Sequence, residues 1–494
     1  MRRIAKNAAV PMAASLVNKL LDLGFVVVLG HTLTPTELGR YTWAVLVVGY
    51  FDILINFGLG ILITRDVARD PEAANSYMGS ALMVRALLWL ASVVVALAIA
   101  GPLAGPLGLT PDMALALAVL TIGIGISNLT GIASALFSAR ELMEYPAAIT
   151  VLTTVLKISF GTAALITGFG IVGLAAVSVV VNLLTGVALL GLLMVVIGRP
   201  RPEVVPASSL TMVGNAYPLM INNLLATLFF RVDGLILRAV WGDAVLGWYG
   251  MAYKFIDGLS VIPSAFVLAL FPVLSRIAGQ ARERDLVRAT ELALKVLISL
   301  ALPIALGTTL VAEPIIGLFT GDRYLPHSAI ALQLLIWFVP FSFTNGLLQY
   351  VLIAVDQQRF ITLSFLLAAT FNIVANLLLV PHLSYVGAAI TTVLSEIVLL
   401  GPFWFAVRRY VGRVRILPFV WRPALATLVM APVGWAIVGT PAPLLAIPVG
   451  GCVYGLALLA LGGVTSEERA LFRAALGARA GPGGAALDRG DPAI

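Results

Sequence analysis

Charge is too scarce in this chain for it to fold in water. Only 11% of its 494 residues are Asp, Glu, Lys or Arg, and 60% are hydrophobic without counting glycine. A soluble domain carries about 25% charged and about 45–50% apolar residues, glycine included. So few charges cannot cover a water-facing surface. That excludes a soluble enzyme and a disordered chain, and a single cysteine, Cys452, excludes a disulfide scaffold. Met1-Arg2-Arg3 has the look of a signal-peptide start. Asn18, Lys19 and Asp22 interrupt the apolar run behind it, and no small-residue cleavage site follows, so it reads as a retained first span.

A helix needs about 20 residues to cross a 30 Å hydrocarbon core, and it satisfies its own backbone polar groups. Fourteen stretches qualify, roughly 8–30, 41–64, 80–101, 113–137, 147–168, 171–198, 212–237, 249–274, 290–311, 330–354, 361–380, 385–407, 423–440 and 444–462. The alternating ten-residue strands of a closed barrel are absent. The expected fold is therefore all-α, a polytopic membrane protein of about fourteen transmembrane helices. With the N-terminus in the cytoplasm, 22 of the 31 Lys and Arg residues fall inside, against Arg40, Arg238 and Arg323 outside. That split fits the positive-inside rule and an even number of spans, with both termini cytoplasmic in the cell membrane. The net charge of +7 then reports basic loops rather than a nucleic-acid partner.

The two halves repeat. At an offset of 208, residues 7–44 match 215–252 with 10 identities in 38 positions. They end with Leu38-Gly39-x-Tyr41-x-x-Ala44 against Leu246-Gly247-x-Tyr249-x-x-Ala252. Later, Val172-Gly173-x-Ala175 matches Val386-Gly387-x-Ala389. Both copies begin at odd-numbered spans, so they share one orientation: two parallel six-helix repeats around a central cavity, plus two extra C-terminal helices. The expected units are an N-terminal lobe at 1–198, a stiff, solvated connection at 199–211, a C-terminal lobe at 212–407, accessory helices at 408–462 and a partly disordered tail at 463–494. Gly451-x-x-x-Gly455 would let the last span pack closely, and the charged stretch Ser275–Glu291 reads as a surface helix.

A charge at a helix centre costs about 2.5–3.5 kcal/mol on insertion scales, so those kept inside spans face protein or water. Lys19, Asp22, Asp52, Lys157 and Glu396 lie near mid-span, and Arg85 and Lys295 lie nearer the cytoplasmic edge. Arg231 and Asp233 fall close to the outer edge, where snorkelling accounts for them. Lys19/Asp22 and Lys254/Asp257 are spaced i,i+3, and each pair can neutralise itself. Arg85, Lys19, Lys157 and Lys254 are the candidates to meet a ligand's negative charge, and Asp22, Asp52, Asp257 and Glu396 to couple an ion. Asn18, Asn56 and Asn376 are candidate glycan contacts; interhelical hydrogen bonding, worth about 0.6 kcal/mol on average, is the alternative for each. No Cys/His cluster has metal-ligand spacing, no phosphate-binding loop occurs, and no cofactor is expected. Gly168-x-Gly170-x-x-Gly173 fits a dinucleotide pattern by letter, but it sits in a turn between two spans.

Several stretches resemble the polysaccharide-biosynthesis export family, which includes the O-antigen-type flippases. They are Leu38-Gly39-Arg40-Tyr41, Phe57-Gly58-Leu59-Gly60 and Arg65; then Arg231-Val-Asp233-Gly-Leu-Ile-Leu, Leu246-Gly-Trp-Tyr249 and Phe271-Pro272-Val-Leu-Ser-Arg276; then Asn372-Ile-Val-Ala-Asn376, Pro381 and Val386-Gly-Ala-Ala. The resemblance covers roughly residues 5–410. It implies a flippase without ATP hydrolysis. The substrate would be an isoprenyl-pyrophosphate-linked oligosaccharide, turned from the inner to the outer leaflet by alternating access. The bilayer, H⁺ or Na⁺ and glycan-assembly proteins would be its partners. The rival functions are a cation-coupled multidrug efflux antiporter of the same superfamily, a membrane-embedded glycan polymerase or ligase, and a scaffold for glycan assembly. The short outer loops argue against the enzyme.

Overall fold

The structure, a computed structural model, describes residues 2–463 except 200 and 281; the expected tail beyond 463 lies outside the described residues. The described residues form helices and no strand. In the first repeat these are α1 (Arg2–Thr32), α2 (Pro35–Asn56), α3 (Leu59–Arg69), α4 (Ala74–Ala100), α5 (Pro111–Ala139), α6 (Glu144–Ile166) and α7 (Gly170–Val196). The second repeat holds α8 (Pro206–Trp241), α9 (Asp243–Leu259), α10 (Val261–Gly279), α11 (Glu283–Thr320), α12 (His327–Leu335), α13 (Val339–Ala354) and α14 (Gln358–Tyr410). Two further helices follow, α15 (Leu417–Val438) and α16 (Ala446–Ala460).

Among the described residues, twelve helical stretches are long and apolar enough to cross a membrane. Two details reconcile them with fourteen crossings. Helix α14 has 53 residues, about 80 Å at 1.5 Å per residue, which is length enough for two crossings, and it is broken at Ser384 (φ 55°, ψ −139°). Helix α8 has 36 residues, ample length for a further crossing.

Local chemistry sets where the helices start and stop. Thr34 caps α2 in a reciprocal box with Glu37, and Pro35 fills the first turn, where a missing N–H costs nothing. Helix α2 ends because Phe57 and Gly58 take left-handed conformations (φ 51° and 75°). The expected single span 41–64 is therefore two helices. Helices α9 and α10 part at Ser260, just before Pro263, which has no N–H to continue the ladder.

The repeats meet where α2 crosses α9. A Cβ on Gly39 would strike the Asp243 carbonyl, and one on Gly247 would strike the Pro35 carbonyl. Each contact is the other displaced by 208 residues, so the two copies are related by a pseudo-two-fold axis running along the helices. Close to this crossing, Gly30 packs on Thr320 and the Tyr324 hydroxyl donates to the Leu33 carbonyl at 3.1 Å. This end, which the charge split assigns to the outside, is called the outer end below. At the other end Gly58 packs on Leu219 of α8.

Three expectations change. Gly451 and Gly455 face open space; α16 packs on α15 through Gly450 against Met430, and Tyr454 reaches α11 at the Ser299 carbonyl, 2.6 Å away. Residues 275–291 form no separate helix, because α10 runs on to Gly279 and α11 begins at Glu283. The connection expected at 199–211 ends at 205, because α8 begins at Pro206, and its residues 201–205 are exposed. The Arg201 and Glu203 N–H groups donate to Asn75 at the start of α4 (3.2 and 3.1 Å), and Gly79 leaves room for the Glu203 backbone.

Candidate functional site between the two repeats

Below the outer crossing, α2, α8 and α9 enclose a cavity of about 430 Å³. Its walls carry Tyr41 and Asp52 from α2, Arg231 and Asp233 from α8, and Tyr249, Tyr253, Lys254 and Asp257 from α9. A smaller cavity of about 170 Å³ adjoins it on the α1 side, sharing Lys254 and Asp257 and adding Lys19 and Asp22.

The charges here differ in how far they are committed. Asp233 is 3% exposed, and it accepts from the Gly234 N–H, the Tyr249 hydroxyl and the Thr392 hydroxyl. Arg231 grips Asp257 with one nitrogen on both carboxylate oxygens (3.1 and 3.0 Å), and its guanidinium lies over the Tyr253 ring. Lys19 and Lys254 make no ion pair within 4 Å among the described residues, and neither does Asp22.

Two expectations are corrected by this geometry. Lys254 and Asp257 do not neutralise each other, because Asp257 is taken by Arg231 from the next helix. Arg231 and Asp233 are not snorkelling at the outer edge. Helix α8 runs on to Trp241, so Arg231 sits ten residues, about 15 Å, below its end and inside the cavity.

The remaining candidates lie elsewhere. Arg85 is 1% exposed inside the first repeat, donating to the Asn128 carbonyl and to Asn56 Oδ1 (3.3 Å). Asn128 in turn donates to Asp52 at 2.6 Å, so Arg85, Asn56, Asn128 and Asp52 form one network beside the cavity, with only Asp52 on its wall. Lys157 and Asn18 line a separate cavity within the first repeat. Glu396 accepts from Asn345 at 2.7 Å, and Asn376 donates to Asn372; both are buried in the second repeat, away from the central cavity.

The outer end is tied across the repeats. Asp243 accepts from Arg40 of α2 (3.2 Å) and from Arg238 (2.7 Å), and Arg238 reaches the Gly108 carbonyl (3.1 Å) and lies over Trp43. Arg323 also donates to the His31 carbonyl at 3.1 Å. Arg40 and Arg238 counted in the sequence only as outer-loop charges, and their convergence on Asp243 was not foreseen.

The family model described as polysaccharide biosynthesis protein matches residues 4–278, more than half of the chain. The chain belongs to that family. A second family model, MatE, matches residues 218–378. Among curated proteins, the polysaccharide biosynthesis chain is 25% identical to the probable flippase AglR of Haloferax volcanii, over 49% of this chain and 52% of that one. The curated relatives it matches are covered over only 34% and 52% of their own length. Among solved structures it is similar to a lipid II flippase MurJ in an inward closed conformation, with TM-score 0.77, 15% identity, and 94% and 98% of the two chains covered. It is also similar to an inward-facing MATE-family multidrug resistance transporter of the MOP superfamily, with TM-score 0.67, 16% identity, and 82% and 98% covered. At such identities the likeness establishes the fold: the twin-repeat membrane architecture.

Proposed function

We propose that this polysaccharide-biosynthesis chain is a flippase of the cell membrane, carrying an isoprenyl-pyrophosphate-linked oligosaccharide from the inner to the outer leaflet. The observation that carries this reading is the pair Lys19 and Lys254, which face adjoining cavities between the repeats without an ion-pair partner among the described residues. An uncommitted ammonium in a half-apolar chamber gains most from an incoming anion, since a hydrogen bond to a charged group is worth about 1.5–3 kcal/mol. The pyrophosphate meets these two lysines, the sugars occupy the cavity beside Tyr41 and Tyr253, and the prenyl tail stays in lipid. The lobes 1–198 and 212–407 rock about the crossing of α2 and α9, with both termini in the cytoplasm. Release outward requires the ties of Asp243 to Arg40 and Arg238 to part.

Direction follows from charge. Each charge crossing the membrane is worth about 2.3 kcal/mol per 100 mV, so a doubly negative head group leaving a negative interior gains roughly twice that. Asp22, which makes no ion pair among the described residues, and Asp52 are the positions in these cavities that would hold H⁺ or Na⁺ if an ion is coupled. The test is the full chain in vesicles loaded with a polyprenyl-pyrophosphate-linked oligosaccharide. Head-group exposure on the opposite leaflet should accelerate at least tenfold over empty vesicles and respond to the sign of an imposed potential. Folded protein that gives no acceleration would overturn the reading.

A second reading has its own support. The central cavity also presents Asp52 and Asp257 among Tyr41, Tyr249, Tyr253 and Phe230, a lining suited to flat organic cations. Under that reading the same vesicles would move a cationic dye against a proton or sodium gradient and leave the lipid-linked glycan in place.

A further inference from the structure

The cavity inside the first repeat is separate from the site described above. It measures about 300 Å³ and is walled by α1, α5, α6 and α7. That is the lower end of the ~300–1,000 Å³ range of small-ligand pockets, enough for a sugar-sized group. Its lining is hydroxyl-rich, and the five threonines among those hydroxyls are oriented alike, while Ser127 and Ser134 also face it. Thr130, Thr150, Thr153, Thr154 and Thr185 each donate their O–H to a backbone carbonyl three or four residues back on their own helix. Asn182 donates one amide N–H to the Gly123 carbonyl at 3.0 Å and keeps its second N–H and its carbonyl oxygen. With their hydrogens spent, the threonines offer the cavity oxygen lone pairs. Asn18 Oδ1 is a further acceptor, buried there without a partner.

One cation stands among these acceptors. Lys157 makes no hydrogen bond or ion pair within 4 Å among the described residues. Its charge disfavours a metal ion in the oxygen-lined space. A neutral apolar guest would leave the acceptors unmatched. The complementary ligand has many hydroxyl donors and one negative charge.

We propose that this cavity is a subsite for a single acidic sugar residue, its hydroxyls donating to the threonine and asparagine oxygens and its carboxylate or phosphate meeting Lys157. The inference rests on the flippase reading only for what carries that sugar into the membrane.

The test uses the full chain in lipid nanodiscs, with D-glucuronate, D-glucose and inorganic phosphate as separate probes and thermal unfolding as the readout. Glucuronate should raise the midpoint of wild type in a saturable way, at concentrations at least tenfold lower than glucose or phosphate require. Lys157→Met should lose this response and Lys157→Arg should keep it. Thr153→Val, which removes one acceptor at nearly constant volume, should weaken it about three- to tenfold and guards against a Lys157→Met variant that fails to fold. Equal responses in wild type and Lys157→Met, or phosphate reproducing the glucuronate effect in full, would overturn the subsite. Transport of a neutral lipid-linked glycan separates the two proposals. If it persists while glucuronate fails to bind, only the subsite falls; if glucuronate binds and no glycan moves, the flippase reading falls.

Discussion

The crossing of α2 and α9 and the cavity directly beneath it were built from the same duplicated segment, yet they have diverged to opposite degrees. At the crossing the copies keep the same letters: Leu38-Gly39-x-Tyr41 lies on Leu246-Gly247-x-Tyr249, and each glycine admits the partner's backbone. In the cavity no charge is duplicated. At the same offset Asp257 corresponds to Gly49, Lys254 to Leu46, Asp233 to Phe25 and Arg231 to Leu23, while Lys19 and Asp22 correspond to Thr227 and Phe230. Under the flippase reading proposed above, symmetry is retained where the two lobes would pivot, and it is lost where a ligand would be held in one orientation. A symmetric pivot would let the same crossing serve both inward- and outward-open states. An asymmetric charge layer is what can distinguish a head group from a tail.

The comparison breaks most sharply at the glycines. Gly39→Ala places a methyl against the backbone of Asp243, which has no flexible end to move aside, so overpacking should cost about 1–3 kcal/mol or separate the helices. Gly49→Ala, one layer below on the same helix, has nothing within 4 Å and should be neutral or stabilising, since alanine is favoured over glycine in a helix by about 0.5–1 kcal/mol. Thermal unfolding in detergent should rank Gly39→Ala far below Gly49→Ala, and glycan export should be abolished only by the former. Equal midpoints would mean that the crossing is not a close backbone contact. In the charge layer, Asp233→Asn should cost about 1–3 kcal/mol. The amide offers only one oxygen to the donors of Gly234, Tyr249 and Thr392.

What the sequence revealed and what it hid divide along the same line. Apolar runs and the repeated Leu-Gly-x-Tyr signature are local or periodic features, so the spans, their parallel orientation and the break between 380 and 385 could be read from letters alone. Spacing along one helix tests only partners on that helix. It offered Lys254 for Asp257, whereas the observed partner, Arg231, lies 26 residues away on α8. A span ending at 237 leaves Arg231 near the surface, and the four further helical residues of α8 deepen it by about 6 Å. Sequence offers Arg85 as a contact for a ligand's negative charge, and only the fold shows that Asn56 and the Asn128 carbonyl hold it within the first repeat rather than on the cavity wall.

Lys254 sharpens the functional side of the comparison. It has no ion pair to lose among the described residues, so Lys254→Met should leave stability unchanged within about 0.5 kcal/mol. If the ammonium meets a pyrophosphate, the same variant should slow translocation of a lipid-linked glycan about tenfold, the effect of roughly 1.4 kcal/mol. Lys254→Arg should restore most of it. A variant that transports normally would remove Lys254 from the substrate's path; one that transports poorly because it unfolds would show in the midpoint.

The smallest expected effect lies at the outer end, where charge rather than shape joins the two repeats. Arg40 and Asp243 are 28% and 15% exposed, so solvent screens the pair and its contribution is about 0.5–1 kcal/mol. Arg40→Gln should therefore shift the balance toward an outward opening only two- to fivefold, because the Arg238 bond to Asp243 at 2.7 Å remains. The single native cysteine, Cys452, makes this measurable: in a Cys452→Ser background, Val45→Cys places the one thiol on the central cavity wall. Its labelling by a membrane-impermeant reagent added outside should accelerate two- to fivefold with Arg40→Gln, and further with Arg40→Gln and Arg238→Gln together. Unchanged labelling in the double variant would assign closure of the outer end to the glycine crossing alone. The shape-based half of the comparison would then carry both pivot and gate.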